Sequence, residues 1–364
     1  MGITDTKTER ITGFDFARAL AILGMMLVNY RLVFTMERVT WPGPAGAIAL
    51  LEGRAAAVFL LLAGIGISLM SGGTRPLDLV QEQRKLRTTL VRRALFLFVL
   101  GMVLYTAFEW TADILHYYGV FMVVLAIVLF AQRRSIILLI LGLLAVSTVM
   151  QLLLDYTAGW TADFMAYHDF FTLRGFLRHT LFNGYHPLFP WIAFMLIGIL
   201  LGRTDFNDLA TVRRRLLLSA GAALLIEAVS RILIHLAGGT ETAIYLFDTK
   251  PMNPTAFYVA AAAAWGTAFI YLCRLLQEWV KRRRINRLYQ SIVQTGQMAL
   301  THYVLHSVVV LGVFYTVDEL AYRDEWFVVL LSAGVFLGMV LFSVLWLKKF
   351  RRGPLELVMR RIAG

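Results

Sequence analysis

Long apolar runs recur through all 364 residues, and no other feature constrains the fold so strongly. A helix needs about 20 mainly apolar residues to cross a hydrocarbon core of roughly 30 Å. Lipid offers the backbone no hydrogen bonds, so each such run has to satisfy its own as a helix. Ten runs read as candidate spans: 14–34, 46–71, 94–110, 113–131, 135–154, 187–202, 216–237, 255–273, 297–317 and 326–347. The expected fold class is an all-α polytopic membrane protein, with a single transmembrane domain over 1–364 built as a bundle of about ten helices. A soluble domain of this size does not need 59% hydrophobic residues.

Basic residues give the expected orientation. The segments 1–13, 72–93, 132–134, 203–215, 274–296 and 348–364 hold 26 of the 35 Lys and Arg residues. Short cytoplasmic loops collect such residues. Both termini are therefore expected in the cytoplasm, and the chain in a bacterial cytoplasmic (inner) membrane. The net charge of +12 then belongs to the membrane surface. KRRRINR (281–287) would face anionic lipid, so membrane lipids are expected partners and nucleic acid is not. The one cysteine, Cys273, excludes an intramolecular disulfide and any CxxC motif. The first run carries Asp15 and Arg18 without a small-residue cleavage pattern, and reads as a retained helix. The charged pattern of 74–93 predicts an interfacial helix. The aromatic-rich segment 155–186, with His168, His179 and His186, is expected to lie on the outer surface. Small residues at 64–68 and 260–266 suit close helix contacts.

Charged residues at membrane depth are costly and face a partner or a cavity. Asp15 and Arg18 share a helix face, as an ion pair or as an anion site, and Asn29 lies deeper on that face. Glu52 and Arg54 are two apart, so they point to different sides and need separate partners; Gly53 between them marks a late helix start. In FEWTADILHYYG (108–119), Glu109, Asp113 and His116 fall in one short turn. Either that turn is solvated, or the Asp113 carboxylate orients the His116 imidazole as a general base. Glu227, Arg231 and His235 form one stripe, readable as an intrahelical Glu–Arg pair or as the lining of a substrate entrance. ALTHYVLHSVVV (299–310) sets His302 roughly 8 Å and His306 roughly 14 Å along its helix. They are neutral hydrogen-bonded rings or a buried acid/base. HxxxH without a following Glu or a third ligand leaves no metal site expected.

Several stretches together resemble the YeiB-like bacterial membrane proteins: RITGFDFARALAILGMMLVNY (10–30), EGRAAAVFLLLAGIGISL (52–69), DILHYYGV (113–120), GQMALTHYVLHS (296–307) and FRRGPLELVMRR (350–361). That family is similar to acyltransferase family three and to the lysosomal heparan-alpha-glucosaminide N-acetyltransferase. The resemblance implies a helix bundle that takes an acyl group from cytosolic acyl-CoA, acetyl-CoA above all. It passes the group to a small-molecule or cell-envelope acceptor at the other face. Arg18 would contact the CoA phosphates with Asp15 positioning it, and Asn29 stands where acyltransferase family three carries a histidine. DILH favours His116 as the base with Asp113 behind it, and His306 is the mid-depth alternative. Glu52, Arg54, His302, Glu227 and Arg231 would line the substrate path. Two other classes stay open, a proton-coupled transporter or exporter and a non-catalytic scaffold, and a homodimer is compatible with each.

Overall fold

The described parts of the ten apolar runs are mostly helical, the run 46–71 as two helices broken at Glu52–Gly53. The computed structural model describes residues 10–35, 44–73, 79–316 and 324–364. Fifteen α-helices form there: α1 (Thr12–Phe34), α2 (Pro44–Leu51), α3 (Arg54–Met70), α4 (Val80–Ala107), α5 (Leu115–Val128), α6 (Arg133–Leu153), α7 (Leu173–Arg178), α8 (Leu188–Gly202), α9 (Leu209–Leu236), α10 (Glu241–Phe247), α11 (Ala256–Arg283), α12 (Arg287–Gln297), α13 (Ala299–Thr316), α14 (Glu325–Trp346) and α15 (Pro354–Ala363). A π-helical turn, His179–Asn183, follows α7. The described residues contain one isolated β-bridge and no strand.

The protein is a multi-pass membrane protein. Among the described residues, seven helical segments are long and apolar enough to cross a bilayer, the broken α2–α3 segment among them, or eight if the 173–202 pair, bent by 49°, is one span. α5 and α13 are shorter apolar helices. α5 has only 14 residues, about 21 Å of helix. Its first turn therefore starts inside the bundle.

Elsewhere the sequence reading and the fold part company in two places. The expected interfacial helix at 74–93 is the first half of α4, which runs unbroken for 28 residues; 74–78, like 1–9 of the basic N-terminal flank and the end of the ninth run, lies outside the described residues. The segment 155–186 has a structure of its own that the sequence did not show. It folds into a cap over the α4–α5 turn, with Tyr105 of α4 stacked on Phe170 at 3.8 Å. Asn183 organises the cap: its amide donates to Tyr156 O (2.9 Å) and Ala158 O (2.7 Å), and its side-chain oxygen accepts from the Tyr167 hydroxyl (2.8 Å).

Central helices meet at small residues, as at Gly64 on α3, where a Cβ would lie 2.9 Å from Gly198 Cα on α8. Peripheral helices turn leucines outward, and α9 buries only 11% of its most apolar stretch. α1 starts beside α11, where Gly13 N–H donates to Gln277 Oε1 (2.8 Å), and ends beside α14, where Arg31 meets Glu325 (3.0 Å). α1 thus joins the two ends of the bundle, and the functional candidates sort along it.

Candidate functional site

Asp113 and His116 close the turn between α4 and α5, and both side chains are fully buried. The solvated-turn reading is therefore overturned, because the cap covers the turn. Asp113 Oδ2 accepts the His116 backbone N–H at 3.0 Å, at the start of α5, and stands 3.0 Å from His116 Nδ1. An ionised carboxylate only accepts, so Nδ1 carries the proton and Nε2 is left as the acceptor. Nε2 is buried and has no partner among the described residues.

Tyr303 on α13 supports this pair from across the bundle. Its hydroxyl donates to Asp113 Oδ1 at 3.3 Å and accepts the Ile114 N–H at 3.0 Å. Gly101 supports it from below: a Cβ there would collide with the His116 nitrogen and lie 2.5 Å from Asp113 Oδ2. Gly101→Ala is expected to displace the turn and destabilise the protein by about 1–3 kcal/mol, the usual cost of overpacking. Thermal unfolding in detergent measures it, and a wild-type midpoint would refute the fit.

On the cap side, the Tyr117 hydroxyl bonds His179 Nδ1 at 2.9 Å, and the His179 ring lies nearly parallel to that of His116, centroids 6.0 Å apart. At the cap's edge, outside the spans, the Thr157 hydroxyl and backbone N–H hold the Asp155 carboxyl below its ordinary value.

A cavity of about 50 Å³, room for a few waters, lies near the pair: Ala112 and Ile114, the neighbours of Asp113, line it, and Asp113 and His116 do not. Asn29, Tyr303 and His186 supply its polar wall, and Gly53 and Ile114 part of the rest. Gly53 is left-handed (φ 66) and ends α2; a Cβ there would lie 2.5 Å from Pro251. The helix break marked by Gly53 thus forms one side of the cavity. Asn29 and the Asp113–His116 pair therefore share a neighbour, Tyr303.

The other expected residues fall elsewhere. Arg18 and Arg10 both pair with the buried Asp15, each at 2.8 Å, at the start of α1. Arg18 is eleven residues from Asn29, about 16 Å along the helix. Arg18 and Arg93 both act electrostatically on Tyr118, two residues past His116, so α5 links the two regions. His306 is fully buried next to Tyr303 and Tyr30, and neither ring nitrogen has a protein partner. His302 bonds Ser343 on α14 at 2.6 Å.

Glu52 and Arg54 do have separate partners: Glu52 pairs with Arg31 (2.9 Å) and Arg54 with Glu227 (2.6 Å). The intrahelical Glu227–Arg231 pair does not form. Glu227 instead takes Arg54 and the Thr249 hydroxyl (2.8 Å), and Arg231 lies with His235 at a separate surface depression. Among the described residues, no three His, Cys, Asp or Glu are set to hold a metal ion.

Sequence reasoning missed Tyr303, His186, Tyr117 and Arg31. Tyr303 stands inside ALTHYVLHS, where the flanking histidines draw attention away from it.

Residues 10–248 match the family described as heparan-alpha-glucosaminide N-acetyltransferase, catalytic, and residues 205–364 match one described as a protein of unknown function, DUF418. The uncharacterized protein YeiB of Escherichia coli (strain K12) is 25% identical, over 97% of this chain and 96% of its own length. The uncharacterized protein YxaH of Bacillus subtilis (strain 168) is 22% identical, over 97% and 94%. The first family match contains every member of the candidate centre except those on α13, and the relatives extend the likeness through the rest of the chain. The protein belongs to the heparan-alpha-glucosaminide N-acetyltransferase catalytic family, as an acyltransferase-like member of its YeiB-like branch.

Proposed function

We propose that the protein is a membrane-embedded acyltransferase of the bacterial cytoplasmic membrane. It moves an acyl group from cytosolic acyl-CoA, acetyl-CoA in the simplest case, to a small-molecule or cell-envelope acceptor. The observation that carries this reading is the buried Asp113–His116 pair with its unpartnered Nε2, held by Tyr303, whose side chain shares a nearby cavity with Asn29 and His186. His116 acts as general base. It takes the proton of an acceptor hydroxyl or amine as that atom attacks the thioester carbonyl; the C–S bond breaks, and the proton passes to the departing CoA thiolate. Asp113 holds the tautomer and Tyr303 holds Asp113. Asn29, on the cavity wall, donates to the thioester oxygen as charge develops there.

Both termini lie in the cytoplasm in this reading. Arg18, positioned by Asp15, then contacts the CoA phosphates from the inner end, and Arg93 adds a second charge nearby. An extended pantetheine arm covers the distance along α1 from Arg18 to Asn29. His306, adjacent to Tyr303, is the alternative base. The paired Glu52, Arg54 and Glu227 flank the acceptor's route at the other end, with Arg231 at its mouth and His302 on the far side of α13.

Purified protein incubated with labelled acetyl-CoA is expected to bind it and to release CoA when acceptors are added. No binding and no CoA release with any acyl chain length rejects the reading. Flux across liposomes that follows a pH gradient and ignores CoA replaces it with transport.

A further inference from the structure

The C-terminal motif FRRGPLELVMRR (350–361) contributes nothing to the centre described above, yet it reaches the helix that carries Tyr303. α13 starts directly after Met298, where the backbone leaves helical geometry (φ −108, ψ 32) between α12 and α13. The start of a helix leaves backbone N–H donors without partners. Glu356 of α15 takes two of them: its Oε1 accepts Leu300 N–H at 2.8 Å and Thr301 N–H at 3.2 Å, and its Oε2 accepts the Thr301 hydroxyl at 2.6 Å. The exchange is mutual. Thr301 Oγ1 accepts the N–H of Leu355, a free donor in the first turn of α15, at 3.1 Å. One carboxylate and one hydroxyl thus cap two helix starts. The motif's other residues serve this contact. A Cβ at Gly353 would lie 2.8 Å from Thr301 Oγ1 and collide with the carboxylate, and Pro354 in the first turn brings no N–H of its own.

We infer that Glu356 is a positioning residue for the Asp113–His116 centre and acts on it through α13. Tyr303 is two residues beyond Thr301, and its hydroxyl is the single atom shared by Asp113 Oδ1 and Ile114 N–H. A shift of the first turn of α13 moves that hydroxyl, and the Asp113 carboxylate loses a support on the side away from His116. The inference rests on the proposed function only in calling this centre catalytic; the mechanical link is independent of it.

Hydrogen exchange in lipid nanodiscs, run beside the acetyl-CoA assay, tests the link. Glu356→Gln is expected to speed exchange in peptides spanning 299–304 and also in those spanning 111–117, which hold the Ile114 and His116 amides. Its kcat falls about tenfold, the worth of one charge-assisted hydrogen bond, with KM for acetyl-CoA unchanged. Glu356→Asp recovers part of both effects, and Arg361→Ala, on an exposed part of the same helix, changes neither. Faster exchange confined to 299–304, or a KM change at constant kcat, overturns the inference. Thr301→Val keeps the carboxylate and its bonds from the Leu300 and Thr301 N–H groups but loses both bonds of the hydroxyl, and is expected to show the same two-peptide pattern more weakly; it decides the matter should Glu356→Gln fail to insert. If wild-type protein transfers no acyl group, the proposed reaction falls, while the exchange pattern still judges Glu356.

Discussion

His116→Gln is expected to lower the proposed acyl transfer by about 10²–10⁴-fold, the usual contribution of a positioned general base. The fold is expected to survive, because the Asp113 contact to the residue 116 backbone N–H does not depend on the ring. Glutamine also fills much of the same buried volume. Asp113→Asn is expected to do comparable damage by another route. An amide N–H facing Nδ1 favours the tautomer protonated on Nε2, and the atom that should accept a proton then carries one. His306→Gln is the discriminating control. If it removes activity while His116→Gln stays within twofold of wild type, the chemistry belongs to His306 and the Asp113–His116 pair is structural. If neither change matters, neither His116 nor His306 is the base, and His186 on the cavity wall is the next histidine to replace.

What the sequence reveals here depends on whether a constraint is local. Lipid contact acts on every residue of a span, so the ten apolar runs, the basic flanks and the break at Gly53 are all legible. The Asp113–His116 contact is legible too, since its spacing of three residues lies within one helical turn. Burial of that turn is not, because it depends on a cap some fifty residues later in the chain. Local pattern shows aromatic residues in 155–186 without showing what they cover. Tyr303 is 190 residues from Asp113, and Glu227 is 173 from Arg54. Neither partner leaves a periodic trace. In the second case the nearest opposite charge in sequence, Arg231, is the wrong partner, because α9 turns it toward the surface while Glu227 faces α3. A charged, helix-like segment at 80–93 also says nothing about whether a bend follows; α4 has none.

Glu227→Ala is expected to destabilise the protein by about 3 kcal/mol or more. Arg54 and Glu227 are 19% and 18% exposed and bond at 2.6 Å, so the pair is largely shielded from water. Removing one member of a shielded pair leaves the other charge desolvated and alone, which typically costs about 3–5 kcal/mol. Arg54 then has only the Leu50 carbonyl at 3.5 Å, too long to compensate. The Thr249 hydroxyl loses its acceptor at the same time, loosening the segment between α10 and α11. Exchanging the charges, Arg54→Glu with Glu227→Arg, should recover part of the loss, because the Coulomb attraction returns although the Thr249 bond does not. Unfolding by heat or by SDS titration in mixed micelles measures all three proteins. A Glu227→Ala midpoint equal to wild type would mean that Arg54 reaches water or lipid phosphate unaided. The ion pair would then be a consequence of the α3–α9 contact and no part of its cause.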